Sequence, residues 1–260
     1  MSLQGRTAVV TGGGSGIGAA TASALAEAGA SVLVAARNER AVVDVAAALR
    51  ERGFEAFAFR CDVTKPHQVR DMALSAREAM QRVDILVNSA GTATSNPLGR
   101  ISLAEWEHIM AVNATGTFLS TQAVFEGMIR QGWGRIVNVA SIAGLEGDRY
   151  VAAYTAAKHA VVGFTKAVAA EAEGTGVTVN AVCPGYVNTP LTDETVARIM
   201  KHTGNSREWA LQAILQQSGQ SRLIDAGEVA AAIVGLCQDE RGEHNGHMLV
   251  LDGRNEGVRA

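Results

Sequence analysis

Tyr154 and Lys158 stand four positions apart in a stretch with helical spacing of apolar residues, so their side chains project from one helix face a turn apart. A phenol with an ordinary pKa of about 10 is a poor acid or base at neutral pH, but a neighbouring ammonium favours the phenolate and lowers that value. Proton transfer then becomes feasible. The plain alternative is a helix-surface pair. Ser141 follows the apolar run 135–140, thirteen residues before the tyrosine, where its hydroxyl can hydrogen-bond a carbonyl oxygen on which charge develops, or simply cap a helix. Asn113 lies in a helical stretch, where asparagine is a poor helix former and disturbs the local ladder, as a functional group, a buried amide or a kink. Together these groups suit moving a proton at a carbonyl oxygen.

A second group of residues suits a phosphate. Thr11-Gly12-Gly13-Gly14-Ser15-Gly16-Ile17-Gly18 follows a short β-branched run and opens a helix. Glycines let the backbone approach a pyrophosphate, and a helix N-terminus offers free N–H groups and partial positive charge. At the end of the next strand, the place where an acidic residue would accept hydrogen bonds from a ribose diol is Ala36. Arg37 follows at once, with a planar guanidinium suited to a 2′-phosphate and to stacking on adenine, which favours NADP(H) over NAD(H). An exposed loop arginine is the ordinary alternative.

These residues need a scaffold, and the chain supplies one in alternation. Strands are expected at 7–11, 31–36, 56–61, 84–88, 135–140, 177–182 and 248–251, most of them apolar almost throughout, as strands covered on both faces must be. Helices are expected near 17–28, 38–52, 66–82, 102–131, 150–173 and 226–239, several opened by capping residues such as Asn38, Ser102 and Asp225. This pattern predicts an α/β doubly wound, Rossmann-type fold with a seven-stranded parallel sheet, helices on both faces and ligands at the carboxyl ends of the strands. No linker or internal repeat interrupts it, so residues 1–260 are expected to form one dinucleotide-binding catalytic domain. The one irregular insertion, about 188–220, mixes apolar and polar residues at helical spacing and reads as a helical substrate lid, with a surface hairpin as the alternative.

At this point the sequence resembles the short-chain dehydrogenase/reductase family. The resemblance rests on the glycine motif, Asn88-Ser89-Ala90-Gly91, Asn113, Ser141, Tyr154-x-x-x-Lys158 and Pro184-Gly185, in the family's order, and covers residues 4 to 253. The family's second asparagine is replaced by Ser89, and its basic position before Gly16 is Ser15. The resemblance implies a catalytic group of Asn113, Ser141, Tyr154 and Lys158, in which the asparagine holds a water linking the lysine to solvent and the lysine also binds the nicotinamide ribose. It further implies that Asp62 meets the adenine amino group and Val63 its ring. Asn88 and Ala90 would meet the adenosine region, and Val187 and Thr189 the nicotinamide amide. It is closest to 3-oxoacyl reductases, polyketide ketoreductases and 3-hydroxybutyrate dehydrogenases, so an NADPH-dependent carbonyl reductase is expected. NAD-dependent secondary alcohol oxidation is the alternative, and a catalytically silent dinucleotide-binding regulator is the rival from another class.

Where relatives acting on short 3-hydroxy acids place polar or basic groups, this chain has Ala93, Ala143 and Val151. A pocket lined by Ile142, Leu145, Tyr150, Tyr186, Leu191, Met200 and Trp209 is therefore expected, suited to a neutral, bulky ketone or a thioester whose charged end stays outside. The remaining expectations come from composition. Apolar residues make up 47% and charged residues 19%, and the net charge of −3 gives no basic surface for nucleic acid. The three cysteines and six histidines show no metal-binding spacing. With no apolar leader or membrane-length run, a cytoplasmic protein with a small-molecule substrate is expected; stretches 102–131 and 150–173 match those that relatives use to assemble dimers and tetramers, and a homotetramer is expected.

Overall fold

The computed structural model describes residues 2–253. Seven strands, β1 (Thr7–Thr11), β2 (Ser31–Ala36), β3 (Ala56–Arg60), β4 (Ile85–Asn88), β5 (Gly134–Val139), β6 (Val177–Pro184) and β7 (Met248–Leu251), form one parallel sheet in the order β3-β2-β1-β4-β5-β6-β7. Strand alternation divides the core in two. On one face Ala8, Val10, Val32, Val34, Val87 and Val137 pack against α1 (Gly16–Glu27), α2 (Glu39–Glu51) and α9 (Ala226–Cys237). On the other, Val9, Leu33, Leu86, Ile136 and Val179 pack against α3 (Pro66–Met80), α5 (Gly116–Gln131) and α6 (Ala152–Glu171). The expected doubly wound sheet is present.

The expected caps hold three of these helices in place. Asn38 accepts from Ala41 N–H, Ser102 accepts from Glu105 N–H at the start of α4 (Leu103–Met110), and Asp225 forms a reciprocal capping box with Glu228. The stretch expected as one helix over 102–131 is instead α4, a π-helical turn at Ala111–Thr115, and α5. The insertion between β6 and α9 folds into α7 (Pro190–Thr203) and α8 (Arg207–Ser218), joined by a small apolar cluster of Val196, Ala210 and Ile214. Among the described residues no helix is long and apolar enough to cross a membrane, and no group of His, Cys, Asp or Glu could hold a metal ion.

The strand order reverses between β1 and β4, where Thr11 lies beside Asn88. At such a reversal the loops leaving neighbouring strands diverge to opposite faces and open a crevice at the carboxyl ends. That crevice, roofed by α7 and α8, is a cleft of about 1730 Å³.

Candidate active site

The turn after β1 is shaped by steric necessity at two glycines. Gly12 has φ +69°, and a Cβ on it would stand 2.6 Å from the backbone nitrogen of Ala90, so the β1 and β4 exits can close on each other only without a side chain there. Gly16 has φ +52°, and a Cβ on it would stand 3.1 Å from the side chain of Thr189 at the β6 exit. Ser15 stands at the N-cap of α1 in extended conformation without a side-chain cap bond, and no acidic residue occupies the first turn. The first N–H groups of α1, which have no intrahelical acceptor, remain for an anion. Glycine turn, uncapped helix and cleft volume together fit a dinucleotide. When bound, its pyrophosphate would be held by residues 12–18.

The end of the cleft expected to take the adenosine is lined by Arg37, Asp62 and Val63, at the ends of β2 and β3. Burial raises the Asp62 carboxyl, but bonds from Thr64 N–H and its hydroxyl, with the charges of Arg37 and Lys65, outweigh it and leave the pKa lowered. Val63 also packs against α5, where a Cβ on Gly116 would strike its side chain. Asn88 departs from expectation. Its amide is buried and donates to Thr121 Oγ1 at 3.0 Å and to Asn138 Oδ1 at 2.8 Å, while Asn138 donates to Thr165 Oγ1 at 2.9 Å. This side chain fastens β4 to β5 and to the helices behind the sheet. The residues of this segment on the cleft wall are Ala90 and Gly91.

At the other end the four expected catalytic residues converge from three places in the fold, the β5 exit, the π-helical turn and α6. Ser141 leaves β5 in extended conformation and accepts from Ala143 N–H at 3.1 Å, so it caps a short 3-10 turn, Ile142–Gly144, while its hydroxyl reaches Pro184 O at 3.4 Å. Tyr154 and Lys158 share the inner face of α6, with Lys158 Nζ 5.6 Å from the tyrosine ring centroid. Asn113 sits in the π-helical turn with its side-chain nitrogen donating to Ile109 O and Thr92 O, both at 2.9 Å. A Cβ on Gly91 would lie 3.1 Å from Asn113 Oδ1 and 3.8 Å from Lys158 Nζ, so backbone and both side chains meet in one corner.

Electrostatics here differ from the expectation that the ammonium lowers the phenol pKa. Burial pushes Tyr154 up to about 12; contact with Ser141 pulls it down, and Tyr186 raises it further. Lys158 is itself brought down to about 8 by burial, opposed by Cys183, and is tied to Val139 O. Burial dominates both shifts, and the tyrosine stays protonated at neutral pH.

Of the residues expected at the substrate, Ile142, Leu145, Tyr150, Tyr186, Leu191 and Trp209 line the cleft beside Pro184, Gly185, Val187 and Thr189. Met200 packs instead against the lid's internal cluster of Val196, Ala210 and Ile214. Three contributors carry no motif in sequence. Gln220 accepts from Tyr186 N–H at 2.7 Å and occupies the space a Cβ on Gly185 would need. Gln217 on α8 donates to Asp148 Oδ1 at 2.6 Å, joining lid to the wall opposite, and Arg198 on α7 donates to Ala93 O at 3.3 Å.

Comparisons with known proteins bear on this site. The sequence model of the family described as short chain dehydrogenase matches residues 6–199. The chain is similar to a D-beta-hydroxybutyrate dehydrogenase of Rhizobium meliloti, 35% identical over 95% of this chain and 97% of that protein. It is also similar to a 3-oxoacyl-[acyl-carrier-protein] reductase of Synechocystis, 42% identical over 74% of this chain and 78% of the other. Among solved structures, an actinorhodin polyketide ketoreductase variant with NADPH superposes with a TM-score of 0.92 at 36% identity, covering 97% of this chain and 98% of that one. Levodione reductase superposes with a TM-score of 0.90 at 30% identity, over 96% and 97%. On the family match and these similarities, the chain is an oxidoreductase belonging to the short-chain dehydrogenase family.

Proposed function

We propose that the protein is a carbonyl reductase preferring NADPH, which interconverts a bulky apolar ketone or a 3-oxoacyl thioester with the corresponding secondary alcohol. The observation that carries this reading is the placement of Ser141 and Tyr154 on one wall of the cleft whose other end is lined by Arg37 and the glycine turn. The nicotinamide, when bound, supplies or accepts hydride at the carbonyl carbon. Tyr154, protonated at neutral pH because burial raises its pKa, holds the proton the carbonyl oxygen requires. Ser141 Oγ, positioned by Ala143 N–H, offers a second donor to that oxygen as charge develops. Lys158 places a titratable ammonium beside the phenol ring, and Asn113, at the same corner, offers a route for water between the lysine and solvent. Leu145, Tyr150 and Trp209, exposed large apolar side chains on the cleft wall, support a bulky apolar substrate. The reading extends to residues 1–260 as one catalytic domain, to a cytoplasmic setting, and to a homotetramer built from α4, α5 and α6 and the final strand β7.

A second reading, NAD-dependent oxidation of a 3-hydroxybutyrate-like alcohol, is favoured by the full-length similarity to a hydroxybutyrate dehydrogenase. A panel of ketones and 3-oxoacyl thioesters titrated against NADPH and NADH, followed at the nicotinamide absorbance, tests both. Turnover of bulky ketones with NADPH is expected. Turnover restricted to 3-hydroxybutyrate with NAD supports the second reading, and no turnover at all defeats both.

A further inference from the structure

The lid carries two arginines in contrasting surroundings. Arg207, at the start of α8, donates to Asp193 on α7 at 2.5 Å, an ion pair joining the lid's helices. Arg198, on α7, is half-buried on the cleft wall, and the acceptor it reaches is the Ala93 carbonyl, across the cleft at 3.3 Å. Among the described residues no carboxylate pairs with it. A guanidinium presents a planar fork of N–H donors, and one long bond to a neutral carbonyl leaves most of that fork and all of its charge unanswered. Withdrawing such a group from water is costly unless an anion meets it.

The orientation is a property of the helix rather than of one rotamer. Leu191, Thr195, Arg198 and His202 follow at intervals of four, three and four residues, which puts them on one face, and all four line the cleft. Two acids of the cleft wall, Asp148 and Glu146, form no ion pair with this face. Asp148 is engaged by Gln217 and by Arg149 N–H, and Glu146 is exposed, as are Arg100 and Arg149. The guanidinium is also within reach of the chemistry. Ala93 lies two residues beyond Gly91, at most about 7 Å of extended chain, and Gly91 abuts Asn113 and Lys158.

We infer that Arg198 is the anion-recognising residue of the substrate pocket, and that the ketone this chain reduces carries a carboxylate at the far end of an apolar spacer. The inference rests on the carbonyl reductase reading above and amends the sequence expectation of a neutral substrate. Fork geometry matches a carboxylate bidentately, whereas Leu145, Tyr150 and Trp209 in the same cleft suit the spacer. Ser141 and Tyr154 face the cleft from the sheet side and Arg198 from the lid.

The test compares 7-oxooctanoate with its methyl ester in the wild type, Arg198→Met and Arg198→Lys, using NADPH and NADH. In the wild type, kcat/KM for the acid is expected to exceed that for the ester by about tenfold or more, mostly through KM. Arg198→Met should bring the ratio close to one, and Arg198→Lys should leave an intermediate value, since an ammonium keeps the charge and loses the fork. Acid and ester are measured on the same preparation, so the ratio is independent of how much of a variant folds. A wild-type ratio near one, or a ratio that survives Arg198→Met, overturns the inference while the carbonyl reductase reading stands. If neither compound nor any ketone of the wider panel is reduced, the reductase reading fails and this inference falls with it.

Discussion

Lys158 Nζ donates a 2.8 Å hydrogen bond to the carbonyl oxygen of Val139, the last residue of β5, so the ammonium beside Tyr154 is fastened to the sheet and not to the phenol oxygen. Two residues further along the same exit stands Ser141. One strand end therefore sets the position of the hydroxyl directly and of the ammonium through its carbonyl. Fixing Lys158 in this way withdraws its charge from water, and the lowered pKa of about 8 is the consequence.

That shift has a stability signature. An amine whose folded pKa lies below its unfolded value binds fewer protons when folded, so stability rises with pH between the two values and is lost as pH falls through the folded one. Between pH 8 and 10 the unfolding free energy of the wild type is expected to rise relative to Lys158→Met by roughly 2–3 kcal/mol, at about 1.4 kcal/mol per pH unit. The upper limit keeps the measurement below the range in which Tyr154, with its raised pKa, contributes in the opposite sense. Urea melts of both proteins across this range check it, and parallel pH profiles would show that the Lys158 charge is not destabilising.

Tyr154→Phe should reduce turnover by at least about tenfold, and by 10²–10⁴ if the hydroxyl is the sole proton donor. The ring packs against Ile109, Ala153 and Ala157, contacts that phenylalanine preserves, so the fold and cofactor affinity are expected to remain. Single-turnover rates and cofactor titration separate the two effects. A variant retaining more than a tenth of the wild-type rate removes Tyr154 from the mechanism.

Arg37→Ala should lower kcat/KM with NADPH by about tenfold or more and leave that with NADH almost unchanged, because a charge-assisted phosphate contact exists only for the first cofactor. Arg37 is exposed at the end of β2 and also lowers the Asp62 pKa, so the NADH arm reports any effect transmitted through that carboxylate. An unchanged cofactor ratio makes Arg37 an ordinary surface charge.

How far the sequence discloses this molecule depends on the range of the interactions involved. The strands were legible because burial on both faces makes runs such as Val32-Leu33-Val34 apolar throughout, and caps such as Asp225 act within a few residues. Asn113 is legible as a disturbance of its helix, but its partner is not, since the amide is held by Thr92, twenty-one residues away in sequence. Asn88 has the same type and position whether it faces adenosine or Asn138; only the register of β4 on β5, which sets Asn88 opposite Asn138, decides it. Tyr154 and Lys158 were placed on one face by spacing alone. Their electrostatics were misjudged because spacing carries no information about desolvation. Met200 is hidden for a similar reason: its helix turns an apolar face to α8 and a mostly polar one, with Thr195, Arg198 and His202, to the cleft.

The last expectation concerns substrate size. The wall near Ser141 bears Ile142, Ala143 and Leu145, and beyond them Tyr150 and Trp209 are exposed in a cleft large enough for more than a dinucleotide. A small keto acid leaves those apolar surfaces wet and gains nothing from their burial. A bulky ketone or 3-oxoacyl thioester covers the same surfaces, at about 25 cal/mol for each Å² removed from water. Covering some 60 Å² more than acetoacetate, roughly the area of two or three methylenes, is worth about 1.5 kcal/mol, enough for a tenfold advantage if realised in the transition state. The wild type is therefore expected to use such a substrate at least about tenfold better than acetoacetate in kcat/KM, and Trp209→Ala should narrow the gap by raising KM for the bulky substrate alone. Acetoacetate reduced as well as the best bulky ketone would instead assign the pocket to short hydroxy acids.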